Sequence, residues 1–505
     1  MTTRSLSRMA SKALSYNLTR KGQVNAAGIS AASKKAVEEL LLVDAETHHC
    51  YFRSAGLHNH LSHHLLAAYD LGTTPSHLKK IYTTEAGYQR PIILEKKDAS
   101  IIVNDDNWGQ YLGNQSAYGA FFKYFSGKVA ELGAGPALEK YVFDPEVNDK
   151  GKVMLIRMMS GAYCHISTRC SRLRANPPFS VHPFIQIGYG VEFGDDTLVA
   201  TGLAQAAIHT PTAPELYDVS FTEDTKPTSS SLSVLEILRK VYDSNTLAPK
   251  LPYDPDALFS ARIKHFLDPE RVAEIRGICA QFHVSGNDVS SEVEELIWAS
   301  TLLMAATGKR GRKPRLDFFL MHLVTSSIFL NPMLEVLQNP ISKANLVKSF
   351  LTVVVLLTLA RGRPRIDPAL LMSYSPTARP PLQGLKPNES ATGSPLDDAD
   401  YNPWPAILGD VVFHPDAHVI KTIRTLAYAT REYGATPAGA ATGALLKNKD
   451  EESHKGTKEM DGTIFARAAG LVMDYMGWVA HGQKARPDWD RSALGWDAAW
   501  DKDAD

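Results

Sequence analysis

The sequence predicts an all-α protein: a single large helical domain with a buried histidine-rich site and long loop insertions. Three observations carry that prediction. Apolar residues recur at helical spacing over nine stretches, only two stretches read as extended, and hydrophobic residues fill 44% of the 505 positions. A chain of this length buries a sizeable core.

The helical windows are Val37–Val43, Leu57–Leu71, Trp108–Leu132, Ser231–Val241, Val293–Ala306, Leu316–Phe329, Leu346–Ala360, His418–Tyr433 and Gly462–Val479. The extended candidates are Pro91–Asn104 and His182–Phe193, whose β-branched and aromatic residues, bounded by Gly or Pro, suit short strands or loops. Residues 1–35 read as a flexible basic N-terminus, because seven basic residues and no acidic one precede Glu38. Residues 36–505 then form one helical domain with surface insertions at 373–405, which holds seven prolines, and at 447–462, a charged run.

A net charge of −1 gives no chain-wide field toward nucleic acid or an anionic membrane. The most apolar run, Ser349–Ala360, has 12 residues against the roughly 20 needed to span a bilayer, and reads as a core helix. Cys50, Cys164, Cys170 and Cys279 make no CxxC pair and no disulfide framework, so a reducing, cytoplasmic setting is expected. The basic, Ser- and Ala-rich N-terminus leaves mitochondrial targeting as the alternative.

Seven of the 17 histidines lie between His48 and His77. Placed on a helix, His60, His63 and His64 share one face, and His58 points away toward Leu61, Leu65 and Tyr69. No charge interrupts this stretch before Asp70, so the imidazoles are buried, where each must be neutral and hydrogen-bonded or bind a metal. His182, His322 and His418 stand in equally apolar surroundings. Without cysteine partners these nitrogen donors do not suggest a structural zinc site. Lys421 follows His418 by one helical turn and shares its face with Thr422 and Thr425.

No Walker motif, GxSxG, HExxH or CxxCH is present. In GYGVEFG (Gly188 to Gly194) the third glycine falls one residue too late for a dinucleotide fingerprint. KRGRKPR (Lys309 to Arg315) and RGRPR (Arg361 to Arg365) look like minor-groove hooks, yet each follows an apolar helix, where basic residues suit the C-terminal dipole.

The blocks LHNHLSHHLLAAYDLG, HPFIQIGYGVEFG, MHLVTSSIFL, ARGRP and HVIKTIRTLAYA, in this order from about Leu57 to Trp478, resemble the questin oxidase-like family. The resemblance implies a fungal secondary-metabolite enzyme that uses O₂ to open the central ring of an anthraquinone-type polyketide, by dioxygenase cleavage or a formal Baeyer–Villiger step. It also implies NADPH, as in questin-type members, although no nicotinamide or flavin fingerprint is visible. A non-heme Fe(II) is the expected cofactor. His60, His63, His182, His322 and His418 are its expected ligands, with Lys421 as a carbamate supplying the anionic oxygen. His58 and His64 are the expected acid and base, although which members of the HNHLSHH cluster bind metal stays open. Gln186 stands where similar blocks have histidine and is not expected to ligate. Glu192 is expected to orient an imidazole, and Tyr69, Trp108, Tyr111, Phe184 and Tyr189 to wall the pocket. Two alternatives are a metal-free NADPH-dependent Baeyer–Villiger monooxygenase and, from another class, a DNA-binding accessory protein. The expected partners are an aromatic polyketide and O₂, with neither nucleic acid nor membrane.

Overall fold

A computed structural model describes residues 15–52, 57–149, 151–160, 181–222, 231–381, 387–447 and 450–501. Among these residues there is no strand, only isolated bridges such as Tyr51 with His58. Twelve principal helices build the body: α1 Ala31–Thr47, α2 Leu61–Asp70, α3 Pro75–Ala86, α4 Tyr118–Leu132, α5 His182–Phe193, α6 Asp196–Ile208, α7 Val234–Asp243, α8 Ser290–Ala305, α9 Phe318–Ser327, α10 Pro340–Ala360, α11 Ala417–Tyr433 and α12 Ile464–Met476. Helix starts follow local chemistry. Asp416 caps α11 through the His418 N–H, Asp317 caps α9, and Asn339 with Pro340 opens α10.

The extended expectation for His182–Phe193 is wrong: the segment is helix α5. All twelve of its residues are buried, so no polar face prints the helical period into the sequence, and the apolar run reads like a strand. Its glycines serve packing. A Cβ on Gly188 would lie 2.3 Å from the Phe329 ring, and one on Gly190 would lie 2.6 Å from the Val199 nitrogen. Pro91–Asn104 is a loop, the other form expected of it, with one 3₁₀ turn at Lys96–Ser100.

Helix α10 runs nine residues further toward the N-terminus than the apolar run alone suggested. Phe318–Val336 and Pro340–Ala360 are both long and apolar enough to cross a membrane, but 83% and 89% of their apolar windows are buried within the protein. The two arginine-rich segments are tied inward. Arg361 pairs with Asp317 at 2.7 Å out of contact with solvent, Arg315 pairs with Asp490 at 2.7 Å, and Arg363 donates to the carbonyls of Val241, Tyr242 and Ser244. Cys50 is buried and Cys279 partly so; Cys164 and Cys170 lie outside the described residues.

Residues 15–30, read from the sequence as part of a flexible terminus, are packed down. Tyr16 and Leu18 are buried, and the N–H groups of Asn17 and Leu18 donate to Asp195 and Glu38. Composition could not show this, because backbone donors make most of the attachment. The strap then crosses a buried ion triad. Arg424 of α11 donates to Asp70 at the end of α2 (2.8 Å) and to Glu192 of α5, with all three side chains inaccessible. The N–H groups of Val24 and Asn25 reach the Asp70 carboxylate at 3.0 and 2.8 Å, and Gln23 N–H reaches Glu192. Gly22 makes the approach possible, since a Cβ there would sit 2.0 Å from an Asp70 oxygen.

Arg424→Met leaves two carboxylates buried without their cation and is expected to cost about 3–5 kcal/mol of stability in urea denaturation. The deficit relative to the native protein narrows toward acidic pH, where Glu192, whose pKa burial already raises to about 7, takes up a proton.

Candidate functional site

Four helices deliver four imidazoles to one place. His60 caps the start of α2, His182 is the first residue of α5, His322 lies in mid-α9, and His418 is in the first turn of α11. The Nε2 atoms of His60 and His182 are 2.7 Å apart, and one ligand atom from each of His60, His182 and His322 falls within 4.8 Å of the others. The His418 ring stands 4.5 Å from that of His60 and 5.1 Å from that of His322.

Hydrogen bonds orient these rings. His322 Nδ1 lies 2.7 Å from the Phe318 carbonyl, and His418 Nδ1 lies 2.7 Å from the Asp416 carboxylate. Both acceptors require a proton on Nδ1, so Nε2 of each neutral ring is a bare lone pair. Both Nε2 atoms are buried and have no partner. Burial pushes the pKa values of His58, His60, His63, His182 and His322 well below the ordinary imidazole value, with neighbouring histidines and Lys421 adding to the effect. The cluster is therefore uncharged and rich in acceptors.

Lys421 joins this group. Its Nζ is buried without a hydrogen-bond partner, and burial lowers its pKa to about 8, with Asp416 and Glu85 opposing that shift. His63 turns its Nε2 to Gln186 Oε1 at 2.9 Å, leaving His60 in the close trio. Gln186 also accepts from Ser62 and donates to Thr201, so it positions neighbouring side chains. His64 bonds Glu85 of α3 through Nδ1, and its Nε2 is buried without a partner.

Two expectations about placement need correction. His58 does not point away: α2 begins only at Leu61, whose N–H is taken by Asn59 Oδ1, and so His58 precedes the helix. Its ring stacks on His182 with centroids 3.8 Å apart, and its Nε2 is 2.7 Å from Nε2 of His209. Glu192 does not orient an imidazole; it lies on α5 ten residues beyond His182, roughly 15 Å along the axis, paired with Arg424.

Of the expected wall residues, Tyr189 is near the site, 5.4 Å from the His63 ring. Tyr69 packs on Phe193, Phe184 on Phe350, and Trp108 on Tyr141. Tyr111 is partly buried in a 3₁₀ turn. Phe318, not singled out from sequence, lies 4.7 Å from His322 and 5.1 Å from His418. Asp416, Glu85 and His209 were also missed. Asp416 had a usable signal, an acidic cap two residues before His418; the other two are joined to the site only by folding.

A family model described as Questin oxidase-like matches residues 57–426. The chain is similar to a questin oxidase of Aspergillus terreus, 24% identical over 410 residues that cover 79% of this chain and 82% of that protein. It is also similar to the Baeyer–Villiger oxidase ptaJ of Pestalotiopsis fici, 26% identical over 78% of this chain and 80% of the relative. A third relative is the Baeyer–Villiger monooxygenase AacuH of Aspergillus aculeatus, 28% identical over 80% of each chain.

In solution free of metal and CO₂, Lys421 holds fewer protons folded than unfolded between pH about 8 and its ordinary 10.5. Stability relative to Lys421→Met therefore rises with pH across that window, and the variant is the more stable protein at pH 7, by up to about 3 kcal/mol. Paired urea titrations along a pH series measure the difference.

Proposed function

The chain belongs to the questin oxidase-like family and is an oxidoreductase, and we propose that it is an oxygenase that opens the central ring of an anthraquinone-type polyketide in secondary metabolism, using a non-heme Fe(II) held by histidines. The carrying observation is the set of buried, inward-facing nitrogens without partners, His322 Nε2, His418 Nε2 and Lys421 Nζ, beside the His60–His182 pair.

These residues suit such an ion. Neutral imidazoles whose other nitrogen is held by a carbonyl or carboxylate are the donor type that Fe(II) takes. The 4.8 Å spread of the trio is near the span of about 4.2 Å between opposite ligands of one ion. His60, His182, His322 and His418 would hold the metal. Four neutral ligands leave its double charge uncompensated, and Lys421 answers that need. Its neutral amine bonds the carbon of CO₂ and releases one proton, which leaves an anionic carbamate oxygen. The lowered Lys421 pKa supports that step. Fe(II) supplies the electron chemistry by which O₂ reacts with an electron-rich ring.

The remaining work falls to this chain's own residues. His58 Nδ1 and His64 Nε2 are buried lone pairs suited to take a proton from a ring hydroxyl, and Glu85 stabilises the His64 imidazolium that results. Phe318 and Tyr189 offer flat apolar faces to a planar polyketide. Burial of the imidazoles keeps bulk water from the reacting ring.

The names of ptaJ and AacuH favour Baeyer–Villiger chemistry, and the second reading is such a monooxygenase, metal-free and NADPH-dependent, with the same histidines as acid and base. Labelled O₂ separates the two. Two labelled oxygens in the product mark a dioxygenase, whereas one, with stoichiometric NADPH consumption and no bound metal, marks the alternative.

Purified enzyme is expected to carry iron and to lose turnover on chelation. Asp416→Ala should weaken metal binding about 10- to 100-fold, since it frees the His418 ring. Lys421→Ala should lose iron and activity, and bicarbonate should speed reconstitution of the native enzyme alone. Full activity in dialysed protein without a transition metal would remove the iron reading.

A further inference from the structure

His209 follows the last turn of α6, outside every block that carries the family resemblance to the histidine site. Its hydrogen bonds run in one direction only. His209 Nδ1 bonds the Gln205 carbonyl, which can only accept, so the ring proton sits on Nδ1 and Nε2 is an acceptor. His58 Nε2 lies 2.7 Å from that acceptor and must therefore donate to it. The proton of neutral His58 is thus placed on Nε2, and its Nδ1 becomes a lone pair, buried and without a partner.

The frame around this pair is fixed. The Arg157 guanidinium donates to the His209 carbonyl, and the Tyr51 hydroxyl lies 3.3 and 3.4 Å from the two ring nitrogens of His209. His58 lies flat on His182, the planes 11° apart. Its free lone pair therefore sits at the edge of the imidazole cluster.

We infer that His209 is a positioning residue that locks His58 in the Nε2–H tautomer, so that His58 Nδ1 accepts a hydrogen bond from a hydroxyl on the substrate's aromatic ring. This deepens the reading of the site as an oxygenase centre and rests on it. Without the His209 acceptor, the His58 proton can sit on either nitrogen, and the Nδ1–H form can no longer accept the hydroxyl's proton but donates to its oxygen instead. The substrate class follows: a phenol or hydroquinone with a free O–H beside the ring to be opened. An O-methylated analogue leaves the lone pair buried and unmet.

The test compares His209→Gln, which keeps an acceptor, with His209→Leu, which does not, in metal-loaded enzyme of measured metal content. His209→Leu is expected to lose roughly 10- to 100-fold in kcat/KM with metal content unchanged, while His209→Gln recovers most of it. In His209→Gly, added imidazole should restore turnover, whereas pyrrole, which has the same shape but no acceptor nitrogen, should not. Native enzyme acting on the O-methylated substrate should show a similar loss, with no further loss in His209→Leu. Equal defects in the Gln and Leu variants, rescue by pyrrole, or loss of metal from His209→Leu would overturn the inference, as would an unfolded His209→Gln. Failure of the iron reading appears elsewhere, as native turnover that survives chelation.

Discussion

Arg424 and its two carboxylates are the constraint on which the site depends. Three of the four helices that carry the clustered imidazoles, α2, α5 and α11, meet at this one guanidinium through Asp70, Glu192 and Arg424 itself. A single cation does not balance two buried carboxylates, and the N–H groups of Gln23, Val24 and Asn25 supply the missing donors. Because the helices are fixed at that end, the histidines at the other need not hold them together. Several of their nitrogens, His322 Nε2 and His418 Nε2 among them, can then stay without a partner, an arrangement that a core built only for stability avoids.

The electrostatic character of the cluster follows from what surrounds it. Each oriented imidazole has one nitrogen occupied by a fixed acceptor, the Phe318 carbonyl or the Asp416 carboxylate, and turns a lone pair inward. Burial keeps the rings neutral, and Lys421 discourages any of them from protonating. The interior is thus a surface of acceptors with one amine. Such a surface is stable only beside something that donates or is positive, whether a metal ion or the O–H groups of a bound aromatic.

Much of this was legible along the chain, for reasons that can be named. Long amphipathic stretches such as Ser231–Val241 and His418–Tyr433 print their buried face into the sequence, and the positions of His182, His322 and His418 in apolar text marked them as inward-facing. The same logic failed at α5, where every residue is buried and periodicity vanishes. It failed at His58 because Asn59 delays the helix, which reverses the direction of the side chain. Glu192 was misassigned because its charge was visible but Arg424, more than two hundred residues away, was not connected to it. His209 and Glu85 carry no local signal; their roles exist only through contacts across the fold.

The strap and triad also set a timetable for the newborn protein. Asp70 and Arg424 lie 354 positions apart, so the strap and α2 are synthesised long before α11. A domain generally folds as a unit during synthesis. Here the HNHLSHH segment must wait, without its fixing partner, until α11 has emerged. The centre is consequently closed only after α11 has been made. A cell that makes this protein in quantity exposes a run of apolar, histidine-rich chain throughout that interval, and protecting the nascent chain becomes a condition of activity.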